Sequence, residues 1–336
     1  MKETSTGHPA PATAQSTWSR RFCAAPMMDW SDRHCRYFWR LLSKNTLLYT
    51  EMVTTGALIH GDRERFLAFN PAELPVALQI GGSDPAALAR CAEFADTWGY
   101  SEINLNCGCP SDRVQSGRIG ACLMAEPELV RDCIVAMSEA CDIPVTIKHR
   151  IGIDDMDDYN GLRDFVVTVA ESGCKTFIVH ARKAWLQGLS PKENRNVPPL
   201  DYGLVARLKA ELPELEIIVN GGITTLTQCD TLLQNVDGVM LGREIYSNPY
   251  LLAEVDQRLF DTAAPIPSRL EVMTEFMKYC EQELPKGTRL NQMTRHILGL
   301  YQGLPGARRF RRVISENAHK PGAGITVIQD ALLQVE

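Results

Sequence analysis

The sequence predicts a (β/α)8 TIM barrel followed by a small C-terminal helical domain. Eight short apolar runs alternate with helical patterns between residues 22 and 260. These runs contain few alternating polar residues, which is typical of strands buried on both faces of a parallel sheet. After about residue 260 the strand signals stop and helical patterns continue almost to the end. Eight strand–helix units fit a barrel, which typically takes about 250 residues.

The predicted strands follow one another at regular intervals along the chain. They are Phe22–Ala25, Leu47–Val53, Val76–Ile80, Ile103–Asn106, Val145–Lys148, Phe177–His180, Ile217–Asn220 and Gly238–Gly242. Two of the helices between them have recognisable beginnings, since Asp84 is an N-cap residue followed by proline and Pro127 opens another helix. A doubly wound open sheet is the main alternative. It is disfavoured because no strand is followed by a Gly-x-Gly-x-x-Gly turn.

The chain is predicted to divide into three parts. Residues 1–20 contain no apolar block, so they predict a disordered tail rather than a secretory signal. Residues 21–260 form the barrel, and residues 261–336 form the helical domain. Ser268 and Glu271 make a capping-box pattern that opens the first helix of that domain.

Composition excludes several classes of protein. The 336 residues are 45% hydrophobic and 23% charged, which are ordinary values for a globular chain. No stretch approaches the roughly 20 apolar residues of a membrane span. The eleven cysteines include no Cys-x-x-Cys pair, which argues against a disulfide framework and a zinc site. We therefore expect a cytoplasmic protein without a metal, and nothing in the sequence requires more than a monomer.

Positive charge is concentrated in the C-terminal part. Residues 286–320 contain eight Lys or Arg and one acid, whereas the remainder carries 27 basic and 40 acidic residues. On a helix predicted after Pro305, the side chains of Arg308, Arg311 and Arg312 share one face. Arginine suits phosphate groups, so this face indicates a polyanion-binding surface. A solvated basic face is the alternative.

Polar residues follow nearly every predicted strand, and the carboxyl ends of the strands carry the active site in barrels of this kind. Phosphate commonly binds after strands seven and eight, where glycine lets backbone amides approach the oxygens. Asn220, Gly221 and Gly222 stand in the first of these places, and Gly242 and Arg243 in the second. The alternative is that these glycines only make tight turns.

Lys148 and His180 end adjacent strands and are predicted to point into the same cavity. A buried lysine needs an anionic partner, which a reduced flavin ring or a second phosphate would supply. His180 alone would be a core histidine, but beside Lys148 it is interpreted as a cofactor ligand. Gln79 adds a donor and an acceptor suited to the edge of a flat heteroaromatic ring.

Cys109 lies just past the fourth strand, between Gly108 and Pro110. Most other cysteines fall on apolar helix faces, where they are expected to be inert. A thiol at the mouth of the barrel without a neighbouring base would stay protonated, as a general acid requires. Asn106, three residues earlier, could hold a substrate by its amide.

The sequence resembles the tRNA-dihydrouridine synthases, most closely the DusA subfamily, from about residue 21 to the end. The matching stretches are APMMDWSDRHCRYF, LLYTEMVTTGA, PVALQIGGSDP, EINLNCGCPSDRVQSGRIGACLM, HARKAWLQGLSPKENR, VNGGI, LGREIYSNP, RHILGLYQGLPGARRFRR and SENAHK. The resemblance implies an enzyme that uses FMN and NADPH to reduce the C5–C6 bond of uridine in the tRNA D-loop, at positions 20 and 20a. It implies hydride transfer from flavin N5 to C6.

The resemblance also assigns roles to residues. It makes Cys109 the proton donor to C5, and it implies tRNA contacts for Lys192 and Arg195. The residues on FMN-binding positions are Pro26, Met27, Met28, Gln79, Lys148, His180, Asn220, Gly221, Gly222, Gly242 and Arg243. A uracil within the D-loop would have to be extruded to reach such a pocket.

Two alternatives remain open. A flavin barrel acting on a small molecule, such as a dihydropyrimidine or dihydroorotate oxidoreductase, would share the phosphate and lysine signals but would not need the basic helical domain. A non-catalytic tRNA-binding protein or chaperone on a decayed barrel would not need the set formed by Cys109, Lys148 and His180.

Overall fold

A computed structural model of the chain describes residues 18–111, 117–156 and 158–335. Eight parallel strands close into a barrel in chain order, and the eighth strand pairs with the first. The predicted barrel and all eight predicted strands are confirmed, with ends that differ by a few residues. The strands are β1 (Phe22–Ala24), β2 (Leu47–Thr54), β3 (Val76–Gly81), β4 (Glu102–Cys107), β5 (Val145–Arg150), β6 (Thr176–His180), β7 (Glu216–Asn220) and β8 (Gly238–Leu241).

Helices surround the barrel and continue beyond it. Those up to residue 260 are α1 (Arg33–Leu42), α2 (Thr55–His60), α3 (Arg63–Leu67), α4 (Pro85–Thr97), α5 (Pro127–Glu139), α6 (Tyr159–Ala170), α7 (Tyr202–Glu211), α8 (Leu226–Leu232), α9 (Arg243–Ser247) and α10 (Val255–Phe260). The C-terminal helices are α11 (Arg269–Glu283), α12 (Leu290–Thr294), α13 (Ala307–Asn317) and α14 (Thr326–Leu332). Short 3-10 turns lie at Pro71–Glu73, Gly120–Ala125, Glu193–Arg195, Pro249–Glu254 and Leu284–Lys286.

The predicted helix beginnings are confirmed. The Asp84 side chain accepts a hydrogen bond from the backbone N–H of Ala87, and Pro127 is the first residue of α5. Ser268 and Glu271 form the reciprocal pair of a capping box at the start of α11. Side-chain caps satisfy backbone N–H groups that a helix end otherwise leaves without partners.

The floor of the barrel is closed by an ion pair from the segment before β1. Nε of Arg20 lies 2.6 Å from Oε2 of Glu102, and its NH1 lies 2.8 Å from Oε2 of Glu216. Glu102 is fully buried, and a buried carboxylate requires such a partner. Trp18 packs against the apolar cluster inside the barrel. Residues 18–20, which were predicted to belong to the tail, thus contact the barrel. Residues 1–17 lie outside the described residues, and the predicted tail stays a prediction.

The C-terminal helices pack against the side of the barrel through α1. The Tyr279 ring on α11 stacks on Tyr37 with centroids 3.9 Å apart, and Phe276 meets Phe38 edge to face. The last helix after β8 ends at Phe260, and the division into domains at residues 260 and 261 stays a prediction. None of the helices in the described ranges is long and apolar enough to cross a bilayer.

Candidate active site

A cavity of about 500 Å³ opens at the carboxyl ends of the barrel strands. Every residue predicted to hold a cofactor lines it, and so do Cys109, Asn106 and Arg195. These lining residues include Pro26, Met27, Met28, Gln79, Lys148, His180, Asn220, Gly221, Gly222, Gly242 and Arg243. Lys192, Arg308 and Arg311 are not among the lining residues.

The turn after β7 lies close to the imidazole of His180. Gly221 has φ of 119° and Gly222 has φ of 67°, conformations that L side chains rarely adopt. A Cβ atom added to Gly221 would lie 2.6 Å from Cδ2 of His180, and one added to Gly222 would overlap Leu200. Both positions therefore require glycine, and both glycines line the cavity.

The cavity contains a surplus of positive charge. Lys148, Arg150, Arg195 and Arg243 all line it. Burial, and then the neighbouring Arg150, lower the pKa of Lys148 to about 7. Burial, and then the positive charges of Arg150 and Lys148, hold the pKa of His180 well below its usual value, so its imidazole is neutral. An anion in the cavity would relieve this repulsion.

Lys148 has a neutral partner rather than a carboxylate. Its Nζ donates a hydrogen bond to Oδ1 of Asn220 at 3.1 Å, and Nδ2 of Asn220 donates to the backbone carbonyl of Met240. Within the described ranges Lys148 makes no salt bridge. The expectation that this lysine meets an anion therefore concerns a group that the described residues do not supply.

Arg150 connects the Cys109 loop to the long loop after β6, a role that the sequence did not predict. Its Nε donates to the carbonyl of Gly108 at 2.8 Å, while NH1 donates to the carbonyls of Lys183 and Asn194. The side chain is buried, and burial lowers its pKa to about 10. Its position two residues after Lys148 on β5, hence on the same face, was the available signal.

Cys109 is half-buried and lies at the cavity wall, whereas Cys107 is fully buried. Burial raises the pKa of Cys107 well above its usual value, so that thiol is inert. The backbone N–H of Cys109 donates to Oδ1 of Asn106 at 3.0 Å. The sequence suggested the side-chain amide of Asn106 as a substrate contact. In the structure, the carbonyl oxygen of this amide holds the Cys109 loop.

Other features of the site had no counterpart in the sequence patterns. Trp30 and Met52 also line the cavity, and no sequence pattern singled them out. Arg243 donates to Oδ1 of Asn196, which connects α9 to the loop after β6. Within that loop Lys192 is exposed.

The described residues contain no cluster of His, Cys, Asp or Glu side chains arranged to hold a metal ion.

The structure is thus a TIM barrel whose strands end, at their carboxyl side, in a cavity lined by four cationic side chains and a thiol. The family model of the dihydrouridine synthases (Dus) matches residues 23–336, and the chain belongs to this family. Residues 112–116, within one of the stretches that carry the resemblance, lie outside the described residues.

Proteins named tRNA-dihydrouridine(20/20a) synthase are similar over almost the whole chain, which confirms the DusA resemblance. The protein from Vibrio cholerae is 61% identical over 320 residues, covering 95% of this chain and 98% of its own. The one from Yersinia pestis is 58% identical and covers 100% of this chain and 97% of its own. The Escherichia coli K12 protein is 59% identical, with 94% and 91% covered.

Two solved structures share the fold. A 2-naphthoyl-CoA reductase complex superposes with a TM-score of 0.54 at 11% identity, over 70% of this chain and 50% of that one. An old yellow enzyme homologue from Zymomonas mobilis gives 0.51 at 11% identity, over 74% and 90%. At this identity the likeness concerns the barrel alone.

Proposed function

We propose that this protein reduces the C5–C6 bond of uridine to 5,6-dihydrouridine in the D-loop of tRNA, at positions 20 and 20a, with bound FMN as cofactor and NADPH as reductant. The observation that carries the proposal is that Cys109, Lys148 and the glycine turn after β7 line one cavity. The substrate in this proposal is inferred from the names of relatives that are about 60% identical.

The residues present fit a flavin nucleotide. Gly221 and Gly222 line the cavity, and neither has room for a Cβ atom beside His180 and Leu200, so bare backbone faces the cavity where a phosphate could approach N–H groups. Arg243 supplies positive charge beside it, and Lys148 lacks a carboxylate partner among the described residues. The proposed holders are Pro26, Met27, Met28, Gln79, Lys148, His180, Asn220, Gly221, Gly222, Gly242 and Arg243. When bound, FMN would supply from N5 the hydride that reaches C6 of the uracil.

The protein's own contribution is orientation and a proton. Sγ of Cys109 is proposed to donate its proton to C5, as a general acid at the cavity wall. Arg150 and Asn106 hold the loop that carries this thiol, through the carbonyl of Gly108 and the N–H of Cys109. Each of the amides of Asn106 and Gln79 keeps one further N–H for a ring carbonyl in the cavity.

The tRNA itself is proposed to bind across the cavity mouth and the C-terminal helices. On α13, Arg308 and Arg311 are exposed, as the periodicity predicted, and Phe310 and Ile314 are buried. Lys192 and Arg195 lie on the loop beside the cavity. Extruding a uracil into the cavity costs a few kcal/mol, least for a base that is already unpaired. A tRNA substrate places the protein in the cytoplasm, and a monomer suffices for this chemistry.

The test is a reaction of purified protein with NADPH and tRNA that lacks dihydrouridine. After digestion, mass spectrometry should find uridines that gained two hydrogens at positions 20 and 20a. A gain elsewhere in the tRNA would keep the chemistry and contradict the site specificity. NADPH oxidation by flavin-loaded protein with no change in the tRNA would favour the small-molecule oxidoreductase instead.

A further inference from the structure

A continuous series of buried hydrogen bonds begins at the Cys109 loop and enters the barrel. Oδ1 of Asn106 accepts from the backbone N–H groups of Gly108, at 3.1 Å, and Cys109, at 3.0 Å. Nδ2 of Asn106 donates to Oε1 of Gln79 at 2.8 Å. Nε2 of Gln79 then donates to Oδ1 of Asn104 at 2.9 Å. Each side-chain amide therefore accepts a hydrogen bond from the group nearer the Cys109 loop. It donates one to the side chain nearer the barrel floor.

The series continues to the floor of the barrel. Nδ2 of Asn104 donates to the hydroxyl of Thr146 at 2.8 Å, and this hydroxyl donates to Oε1 of Glu102 at 2.5 Å. Arg20 and Tyr49 also donate to the Glu102 carboxylate, both at 2.6 Å. We call the five side chains of Asn106, Gln79, Asn104, Thr146 and Glu102 the interior line.

The strand register explains why the interior line forms. Glu102, Asn104 and Asn106 alternate along β4, so their side chains share the face that points into the barrel. Gln79 on β3 and Thr146 on β5 are both register partners of Asn104. All five side chains are buried. Polar groups buried in this way must find partners within the protein.

The direction of the interior line is determined at both ends. The Glu102 carboxylate, paired with Arg20, can only accept hydrogen bonds, so the Thr146 hydroxyl must donate to it. The backbone N–H groups of Gly108 and Cys109 can only donate, so Asn106 must present its carbonyl to them. These two conditions leave one arrangement in which every bond is made. A flipped amide would break the bonds on both sides of it.

We propose that Thr146, Asn104 and Glu102 are positioning residues for the reaction at the cavity. They act through Gln79 and Asn106, which line the cavity, and they hold the Cys109 backbone while keeping one N–H of each cavity amide free for a ring carbonyl. The catalytic part of this inference rests on the proposed function. The structural part, the restraint of the Cys109 loop by a distant hydroxyl, does not.

The test compares Thr146→Val, which removes the hydroxyl at nearly constant volume, with Thr146→Ser, which keeps it. Thr176→Val is the matched control, because the Thr176 hydroxyl also donates to a carboxylate at the floor, Glu216, but makes no hydrogen bond to any of the five side chains of the interior line. If the valine variant of Thr146 does not fold, Thr146→Ala removes the same hydroxyl with a smaller side chain.

The first measurement is hydrogen–deuterium exchange of the Gly108 and Cys109 amides in protein without tRNA. We expect exchange to rise about tenfold in Thr146→Val, since loss of one buried hydrogen bond loosens the next. Thr146→Ser should restore protection, and Thr176→Val should leave it unchanged. Equal protection in both valine variants would overturn the inference, whatever the activity of either.

The second measurement is the rate of uridine reduction. We expect Thr146→Val to lower kcat about tenfold or more while the KM for tRNA stays unchanged, because a misplaced acid affects the chemical step. A change in KM with kcat unaltered would contradict the positioning role. A wild-type protein that reduces no uridine would contradict the proposed function, while the exchange result would still decide the restraint of the loop.

Discussion

The indole ring of Trp30 stacks on the phenol ring of Tyr246, with centroids 4.4 Å apart and planes 11° from parallel. Trp30 lines the cavity, and the Tyr246 hydroxyl lies 3.2 Å from Nδ1 of His296. Nε2 of His296 in turn lies 3.0 Å from the Asp32 carboxylate, which also pairs with Arg295. The cavity wall is thus connected to the C-terminal helices by a stacked pair and a buried histidine.

Asp32→Asn should lower the free energy of unfolding by about 1–3 kcal/mol at pH 7, because it removes a charged partner of Arg295 and His296. Burial alone would raise the Asp32 pKa, but the hydrogen bonds from His296 and Arg295 hold it below its usual value. The stabilisation is therefore present above the unfolded pKa of about 4 and is lost as the pH falls further.

Urea denaturation at pH 7 and at pH 3 measures this difference, which should shrink at the lower pH. Asparagine also caps helices well, so the N-cap of α1 is retained. Asp84→Asn, at the N-cap of α4, is the control and should change stability by less than about 0.5 kcal/mol. A difference that is constant with pH would contradict the ion-pair explanation.

Cys109→Ala should reduce dihydrouridine formation about 10²-fold or more, because general acid catalysis typically contributes that much. Flavin reduction by NADPH should remain, since the thiol is not proposed to take part in it. Mass spectrometry of the tRNA and stopped-flow bleaching of the flavin separate the two steps. Cys141→Ala, at a half-buried thiol outside the cavity lining, should retain both.

Binding of FMN should weaken as the pH rises above 7. The lowered pKa leaves Lys148 largely neutral in the free cavity above pH 7. Binding of an anionic ligand favours the charged lysine, so Lys148 takes up a proton when the ligand binds. The Kd should therefore rise by up to about tenfold per pH unit between pH 7 and 9. Fluorescence titration of apoprotein with FMN measures it.

Lys148→Met should bind FMN more weakly at pH 7 and lose most of this pH dependence. The exposed Lys175 lies before β6, at the opposite end of the barrel, so Lys175→Met should behave as wild type. A flat pH profile for the wild-type protein would show that Lys148 does not meet the ligand's charge.

Gly221→Ala should weaken FMN binding about five- to 150-fold, because overpacking against His180 costs about 1–3 kcal/mol. Gly173→Ala is the matched control, since Gly173 also has a positive φ, of 89°, but has no atoms within 4 Å of an added Cβ. Both variants carry backbone strain, and only the first brings its new Cβ atom against other side chains, those of His180 and Leu200. Equal flavin content in the two purified proteins would contradict the phosphate site.

Reversing Arg308 and Arg311 to Glu should weaken tRNA binding and reduce the slope of log Kd against log salt by about 2, or about 1 for each phosphate that is no longer neutralised. Filter binding at several salt concentrations measures the slope. The reversal of Arg90 and Lys175, both exposed elsewhere on the barrel, is the charge-matched control. FMN content should stay unchanged; a loss of flavin would show that α13 supports the cavity rather than the RNA.

The strands and the cavity could be predicted because their signals are local. Each strand is a short apolar run, and parallel strands bring their carboxyl ends to one edge, so the sequence alone places Lys148, His180 and Gly221 together. The role of Asn106 could not be predicted, because its carbonyl is as suited to a substrate as to the backbone of Cys109. Only the arrangement of the loop decides between the two.

Contacts between distant parts of the chain also could not be predicted from the sequence. Asp32 and His296 are 264 positions apart, and Arg20 meets carboxylates 82 and 196 positions later. Such pairs leave no periodic pattern, and Arg20 in particular follows a segment with the composition of a tail. The ion pairs exist because burial of one charge requires another, which only the folded barrel makes visible.

The Arg20 pair also bears on where the chain can be cut or tagged. A protein trimmed to begin at Phe22 would keep all eight strands, yet Glu102 and Glu216 would lose their shared cation. A buried carboxylate without its cation is costly, so Glu102 would no longer be held in the position in which it accepts from Thr146. The side-chain amides of Asn104, Gln79 and Asn106 would then lose one of the two fixed ends that determine their orientation. Trimming the chain before its first strand would thus disturb the position of the Cys109 thiol at the opposite end of the barrel.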